Sequence, residues 1–463
     1  MLKFTKVCFD TIHQNKTIGE IMKIAIIGGG ISGLATAFYI KQKNPNIELC
    51  IYEKRGFLGG KMKTVNAKGF LFEEGSNGFL SNKPDTLELV KESGCEDLLM
   101  PSNDNARIRF IFKDALHRLP ESPKAFLATP LLSLKEKIRV AMEIFIPKKD
   151  NKDDETLQSF GYRRVGAGMT DTFLDAMVAG IYASTPDKIS VNAAFPAVVR
   201  LEQEYGGLFK GMIAKKKKEA GPGGILMSFK GGVTSFIERL AIATNSKIIL
   251  NSNIMPLIKN GDKFEINCNS ETELFDKVIF CTPAYETANL AQNIFPQGIE
   301  ILNNIEYSPI SVVGLGYENL SHDLLGFGLL TTTSANKEIL GVLWDSSIFE
   351  DRAPHGKKSL RVMIGGQRNA QLALKSDDEL IEIAKRGVKE TMQISDEPSV
   401  IYVKKWEKGI PNYPVGHLKK MDELFSMEKE TKNIYLNSNA YVGIGLNDCI
   451  SNCKKCADKV LES

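Results

Sequence analysis

Apolar positions along this chain fall into two rhythms, and their alternation sketches the fold. Residues 24–27 form a continuous β-branched apolar run, too short for a helix and suited to a buried strand. Leu34, Ala37, Phe38 and Tyr39 then give an apolar helix face, and residues 47–52 make a second apolar strand. Strand, helix and strand in this order open a βαβ unit. The segment GFLFEE reads as a further strand. Residues 107–112 and 116–119 predict a hairpin turning at Lys113-Asp114, and residues 131–145 predict a helix. Residues 148–155 are charged and read as a loop. From residue 157 to about 213 the pattern is mainly helical, with Phe173, Met177 and Ile181 on one apolar side, so a helical domain interrupts the α/β pattern. The α/β pattern returns with a helix at 233–241 and strands at 247–250, 264–268 and 278–281. Residues 289–424 mix strands and helices, and a strand at 433–436 leads into a helix from Asn447.

The turn after the first strand carries candidate chemistry. Gly28, Gly30 and Gly33 stand at the spacing of a dinucleotide-binding turn, with Gly29, Ile31 and Ser32 between them. In such a turn the first glycine permits a tight bend, the second lets a pyrophosphate approach the backbone, and the third lets helix and strand pack closely. The helix opening at Ile31 aims its N-terminal N–H groups at the phosphates. Glu53 ends the second strand, about twenty residues after Gly33, where a carboxylate accepts hydrogen bonds from ribose hydroxyls. FAD and NAD share this fingerprint. Two further glycine turns follow, at Gly59-Gly60 before Lys61 and at Gly75, Ser76, Asn77 and Gly78. Backbone contacts at several points suit a long cofactor, which favours FAD. A last turn, Gly443-Ile444-Gly445, again opens a helix.

Composition narrows the rest. A chain of 463 residues holds two or three domains, and 43% hydrophobic with 25% charged residues is ordinary for a globular protein. The net charge of +3 is small and well mixed, so no nucleic-acid partner is implied. No apolar run is long enough to span a bilayer. Residues 1–21 lack an apolar signal core and any arginine, and read as an N-terminal extension before Met22. Of the eight cysteines, Cys449, Cys453 and Cys456 lie close together on a probable helix. They have no evident fourth ligand, so they read as small packed hydrophobes and no metal is expected. Scattered free thiols fit a reducing cytoplasm. Leu208, Phe209, Met212 and Ile213 precede Lys215 to Lys218, a pattern with two readings: a solvated helix end, or a peripheral contact with an anionic membrane surface.

The chain resembles the protoporphyrinogen oxidase family, within the amine-oxidase-like flavoproteins. GGGISG, Glu53, LGGK and the C-terminal glycine turn carry the superfamily likeness. YRRVGAGMTDTFLDAMVAGIYASTPDKISVNAAFP, LEQEYGGL, WEKGIPNYPVGH and AYVGIGLNDCI carry the narrower one. The resemblance implies a Rossmann-like FAD-binding domain built from discontinuous segments, an α+β substrate domain and an inserted helical domain that is often membrane-associated. The expected boundaries are 22–105, 222–288 and 425–463 for the FAD domain, 106–130 and 289–424 for the substrate domain, and 131–221 for the helical domain. By match of motif the pyrophosphate lies on Gly28 to Gly33 and the ribose on Glu53 and Lys54. Lys61 and Gly75 to Gly78 lie along the rest of the cofactor, and Ile254 is placed on its adenine side. Trp406, Asn439, Ile444, Gly445 and Leu446 are placed near the flavin. The sequence departs from the family at Phe57, where many relatives carry arginine, and at Ser438 and Cys453, where glycine is usual.

The family's reaction removes six hydrogens from a porphyrinogen in three two-electron flavin cycles, with dioxygen commonly the acceptor. The expected activity is oxidation of protoporphyrinogen IX to protoporphyrin IX in haem biosynthesis. The alternative within the family is coproporphyrinogen III. More distant alternatives are a flavin amine oxidase, a carotene desaturase or a non-catalytic escort protein. Because the cofactor carries the redox chemistry, no catalytic residue is assigned. His417, within PVGH, reads as a structural hydrogen-bonding residue, and Arg107, Arg109, Arg163 and Arg164 have two readings, surface or domain-packing arginines or propionate anchors. Candidate partners are the porphyrinogen, a membrane surface, a second copy of the chain and a neighbouring haem-pathway enzyme. The expected location is the cytoplasm, with peripheral contact on the membrane's cytoplasmic face.

Overall fold

The computed structural model describes residues 21–150, 153–218 and 224–462. Its centre is a five-stranded parallel sheet in the order Lys247–Ile249, Glu48–Tyr52, Lys23–Ile27, Lys277–Phe280, Ile434–Leu436. The three inner strands are almost wholly buried, as a parallel sheet covered on both faces requires. On one face, helix Ile31–Lys43 packs with Val233–Ala243 and Leu446–Glu462 around Leu34, Ile237 and Ile450. On the other lie helices Ala284–Ala291 and His417–Glu430. Strand Lys263–Cys268 also covers that face, within its own three-stranded antiparallel sheet rather than in the parallel one.

A second, seven-stranded sheet runs in the order Val400–Pro411, Tyr307–Tyr317, Lys358–Gly365, Ile339–Leu343, Gly328–Thr331, Arg109–Phe112, Leu116–Arg118. It is antiparallel except where Gly328–Thr331 pairs with Arg109–Phe112. Helix Asp377–Met392 covers it through Leu380, Ile383, Ala384 and Val388. Its start is fixed by a capping box between Ser376 and Glu379. The fold is therefore α/β, a Rossmann-like domain joined to a sheet-based substrate domain.

Three expected elements differ in detail. Residues Asp104–Arg107 form a 3₁₀ turn, so the hairpin begins at Arg109. The helix expected over 131–145 runs only from Leu134 to Ala141, because Ser133 and Glu136 cap it reciprocally, and a 3₁₀ turn, Met142–Phe145, follows. The apolar side of the helical stretch holds in part: Phe173 and Met177 are packed, whereas Ile181 is exposed and Val178 and Tyr182 fill the core. Two steps of four residues advance about 80° beyond two full turns, which carries Ile181 off the buried side. A π-turn, Thr170–Leu174, leads into this helix. Of the expected membrane anchors, Leu208 and Phe209 face inward against Leu132, Val140 and Val165, whereas Met212 and Ile213 are exposed. The side chains of Lys215 to Lys218, residues 151–152 and the extension up to residue 20 lie outside the described residues. Among the described residues, no helix is long and apolar enough to cross a membrane.

Candidate cofactor and active site

The glycine turn joins strand Lys23–Ile27 to helix Ile31–Lys43. Gly28 has φ +109°, and a β-carbon there would lie 2.8 Å from the Cys281 carbonyl oxygen. A β-carbon on Gly33 would lie 2.0 Å from the Gly28 carbonyl oxygen, so the third glycine is demanded by packing. Gly30 is different. The nearest atoms to its β-position are the Gly59 carbonyl and the Gly60 Cα, both at 3.9 Å, so the protein leaves this cradle open. Gly30 is also the helix N-cap and has no side chain to satisfy the N–H groups of the first turn. A helix start with uncapped amides beside open space suits a pyrophosphate.

Glu53 closes the far side. Its buried carboxylate accepts the Gly29 N–H at 2.9 Å and the Arg55 N–H at 3.0 Å, keeping lone pairs for hydroxyl donors. Its backbone accepts the Ser252 N–H at 2.9 Å, which brings Ile254, two residues on and half-buried, to the same end of the sheet. Lys54 is at the rim with its ammonium 3.6 Å from Glu286 and largely in solvent.

The second glycine turn meets the first directly. Gly59 pairs with Gly30 in a parallel bridge, and its N–H donates to the Gly29 carbonyl at 2.9 Å. Lys61 then turns its ammonium onto the carbonyls of Lys408, at 3.1 Å, and Gly409. Burial, helped by the neighbouring Arg55 charge, pushes this amine down to about 8. The side chain of Lys61 is thus largely committed to the strand that carries Trp406. Trp406 donates Nε1–H to the Glu74 carbonyl at 2.8 Å, so it abuts the turn from Gly75 to Gly78. In that turn the Asn77 Oδ1 accepts from Arg361 at 2.8 Å, and the Ser76 hydroxyl reaches the Gly78 carbonyl at 3.3 Å. Phe57 takes Lys63 over its ring at 3.8 Å, and Arg55 lies 5.2 Å over Trp406.

The C-terminal turn is held from below. The Asn439 carbonyl accepts the Tyr413 hydroxyl at 2.5 Å, and the Tyr441 carbonyl pairs with His417 Nε2 at 2.8 Å. Ile444 packs beside Tyr413 and Tyr182, Gly445 accepts the Cys449 N–H, and Leu446 is buried against the first helix. The two family departures here are accommodated. Ser438 accepts the Ala440 N–H with its own hydroxyl, and the Cys453 thiol, pushed up to about 11 by burial, meets the Ser32 carbonyl and the Asn437 amide.

Sequence spacing could not reveal the ionic groups that brace this site. Arg361 grips Asp345 through two nitrogens and the Glu73 carbonyl at 2.7 Å, and Arg352 lies 3.2 Å from the Glu73 carboxylate. Two of the candidate anchors are likewise structural. Arg164 is fully buried on Glu143 and on the carbonyls of Ile146 and Pro147, and Arg163 is bound to Glu155 and Glu202. Neither has a free fork for a carboxylate. Arg107 pairs with Asp104 on the surface, and Arg109 lies 4.9 Å over the Phe327 ring.

An open glycine cradle, an uncapped helix start and a carboxylate already braced by two amides fit the adenine dinucleotide of FAD. The matches to known proteins agree. The chain belongs to the flavin containing amine oxidoreductase family, whose profile matches residues 31–461. It is an FAD-dependent oxidoreductase. It is 29% identical to coproporphyrinogen III oxidase of Bacillus subtilis, with 95% of this chain and 97% of that protein covered. It is 26% identical to protoporphyrinogen oxidase 2 of Arabidopsis thaliana, with 97% and 95% covered. A crystal structure of a putative protoporphyrinogen oxidase from Exiguobacterium sp. superposes with TM-score 0.84 at 25% identity, covering 96% of this chain and 99% of that one. Reduced UDP-galactopyranose mutase shares the fold, with TM-score 0.73 at 16% identity over 95% and 96% of the two chains.

Proposed function

We propose that this protein oxidises a porphyrinogen to its porphyrin. The observation that carries the reading is the open Gly30 cradle beside the braced Glu53 carboxylate, in a chain whose full-length relatives are named porphyrinogen oxidases. FAD held there would supply two-electron oxidation, so loss of six hydrogens would take three cycles, each balanced by one dioxygen reduced to hydrogen peroxide. The chain's own part is to bind, orient and exclude water. Gly28 to Gly33 and Glu53 hold the dinucleotide, and Trp406, Asn439 and Ile444 to Leu446 hold its flavin end. Ile310 faces Trp406 in strand register and packs with Met363, Ile410, Ala179 and Ala183 between the sheet and the helical segment.

Protoporphyrinogen IX is the substrate the sequence leads us to expect. Coproporphyrinogen III is the second reading, favoured by the 29% identity to the Bacillus subtilis enzyme. Anaerobic and aerobic assays with both porphyrinogens, following porphyrin fluorescence and peroxide, test the proposal. Fluorescence from neither substrate in a flavin-loaded preparation overturns it.

The helical segment is proposed to rest on an anionic membrane surface. Leu134, Ile138, Met142 and Phe145 are exposed on successive turns of one face, and Phe145 is 80% exposed. Glu143 ties this face to the helix bearing exposed Met212 and Ile213, by accepting the Leu208 and Phe209 N–H groups. Co-sedimentation with phosphatidylglycerol vesicles, lost in Phe145→Glu and absent with phosphatidylcholine, is the expected result. Equal sedimentation of the variant overturns this placement.

A further inference from the structure

We infer that Tyr413 and His417 are positioning residues that set the flavin-facing turn through its backbone, and that they tie this turn to the helical segment. The inference rests on the reading that residues 439–446 face the flavin. Both residues belong to PNYPVGH, a motif to which no contact with the cofactor or substrate has been assigned. Both are buried, with 1% and 3% of their surface exposed. The Tyr413 hydroxyl donates to the Asn439 carbonyl at 2.5 Å, and His417 Nε2 lies 2.8 Å from the Tyr441 carbonyl. A carbonyl only accepts, so Nε2 carries the proton and the tautomer is fixed by this contact. The two rings stack at 4.3 Å with 16° between their planes, so neither donor can swing without moving the other. Together they grip alternate carbonyls of a single turn, five and three residues before Ile444.

The same short motif is held from the opposite side by the helical segment. The Tyr413 carbonyl accepts the Ser190 N–H at 2.7 Å. Asp154 accepts the Ser190 hydroxyl at 2.6 Å and the Gly416 N–H at 2.9 Å. Tyr182 meets the Tyr413 ring edge-on at 5.8 Å. A third anchor comes from the sheet, where Asn412 donates its N–H to the Glu306 carbonyl and its side chain takes the Ser308 hydroxyl. The motif is therefore a junction of three parts. A shift of the helical segment would reach the flavin-facing turn through these two hydrogen bonds.

Three variants test this: Tyr413→Phe, which removes one hydroxyl, His417→Leu, which removes the donor, and His417→Gln, whose amide restores one. The readouts are FAD dissociation by fluorescence, the visible absorption of bound flavin, and melting of the FAD-free protein. Tyr413→Phe and His417→Leu are expected to weaken FAD binding about tenfold and to shift the flavin bands. His417→Gln is expected to recover most of both. Unchanged dissociation and bands in Tyr413→Phe and His417→Leu, with only a lower melting temperature, overturn the inference and leave the pair as ordinary core residues. Should His417→Leu fail to fold, Tyr413→Phe carries the same decision. A wild-type protein that takes up no FAD sinks the cofactor reading itself, an outcome distinct from these.

Discussion

Gly30 lies opposite Gly59 across an isolated parallel bridge, and no atom closer than 3.9 Å stands where a Gly30 side chain would begin. The protein itself does not require glycine there, whereas Gly33 would drive its β-carbon to 2.0 Å from a carbonyl oxygen. The two glycines should therefore fail differently. Gly30→Trp is expected to fold and to carry no flavin, read as the flavin-to-protein ratio after purification. Gly33→Ala is expected to lose about 1–3 kcal/mol of stability in FAD-free protein, read by denaturant unfolding.

Glu53 is braced by the Gly29 and Arg55 amides, and on the proposed reading its remaining lone pairs take the ribose hydroxyls. Glu53→Gln turns one acceptor into a donor that faces an N–H. A charged hydrogen bond contributes about 1.5–3 kcal/mol, so the FAD dissociation constant should rise roughly 10- to 100-fold. Fluorescence titration of stripped protein measures it, and a change below about twofold contradicts the ribose assignment.

Burial holds His417 below the usual histidine range of 6.5, against the pull of the Tyr441 carbonyl; Lys420 lowers it further and Asp154 raises it. The unfolded chain takes up this proton first as pH falls. The neutral ring therefore contributes stability that is full above pH 6.5 and is lost as pH drops through and below that value. Glu428, pushed up by burial above its usual 4.5, works in the opposite direction, so the comparison must be differential. Melting curves of wild type and His417→Gln should run parallel above about pH 7 and converge below about pH 6.

Arg164 and Glu143 form a fully buried pair, and Glu143 also receives two backbone N–H groups. Arg164→Met leaves that carboxylate buried without its cation, which should cost about 3–5 kcal/mol. KM for the porphyrinogen should stay as in wild type if the residue is structural. A raised KM with unchanged stability would restore it as a propionate anchor.

The parts of the fold legible in sequence were those written locally. The strand, glycine turn and helix from Lys23 onward follow from a short apolar run, spaced glycines and helical periodicity, and all lie within a few residues of their expected bounds. Sheet order was not legible, because Lys277–Phe280 and Ile434–Leu436 meet the first strand only through long-range pairing that periodicity does not encode. The apolar face after Phe173 was legible as far as Met177 and not to Ile181, since a spacing of four residues drifts about 40° per step on an α-helix. For Arg163 and Arg164 the sequence left packing and anion anchoring both open, because an arginine's partner is invisible in sequence and Glu143 and Glu202 lie 21 and 39 residues away.

Cys453 meets the Ser32 carbonyl across 421 residues, and Asn437 meets Thr36 across 401. On the ribosome the helix proposed to cradle the phosphates emerges early and must wait for its final supports until nearly all of the remainder has been synthesised. Flavin capture is therefore a late event in biogenesis, and a nascent chain stalled before residue 434 should emerge without colour.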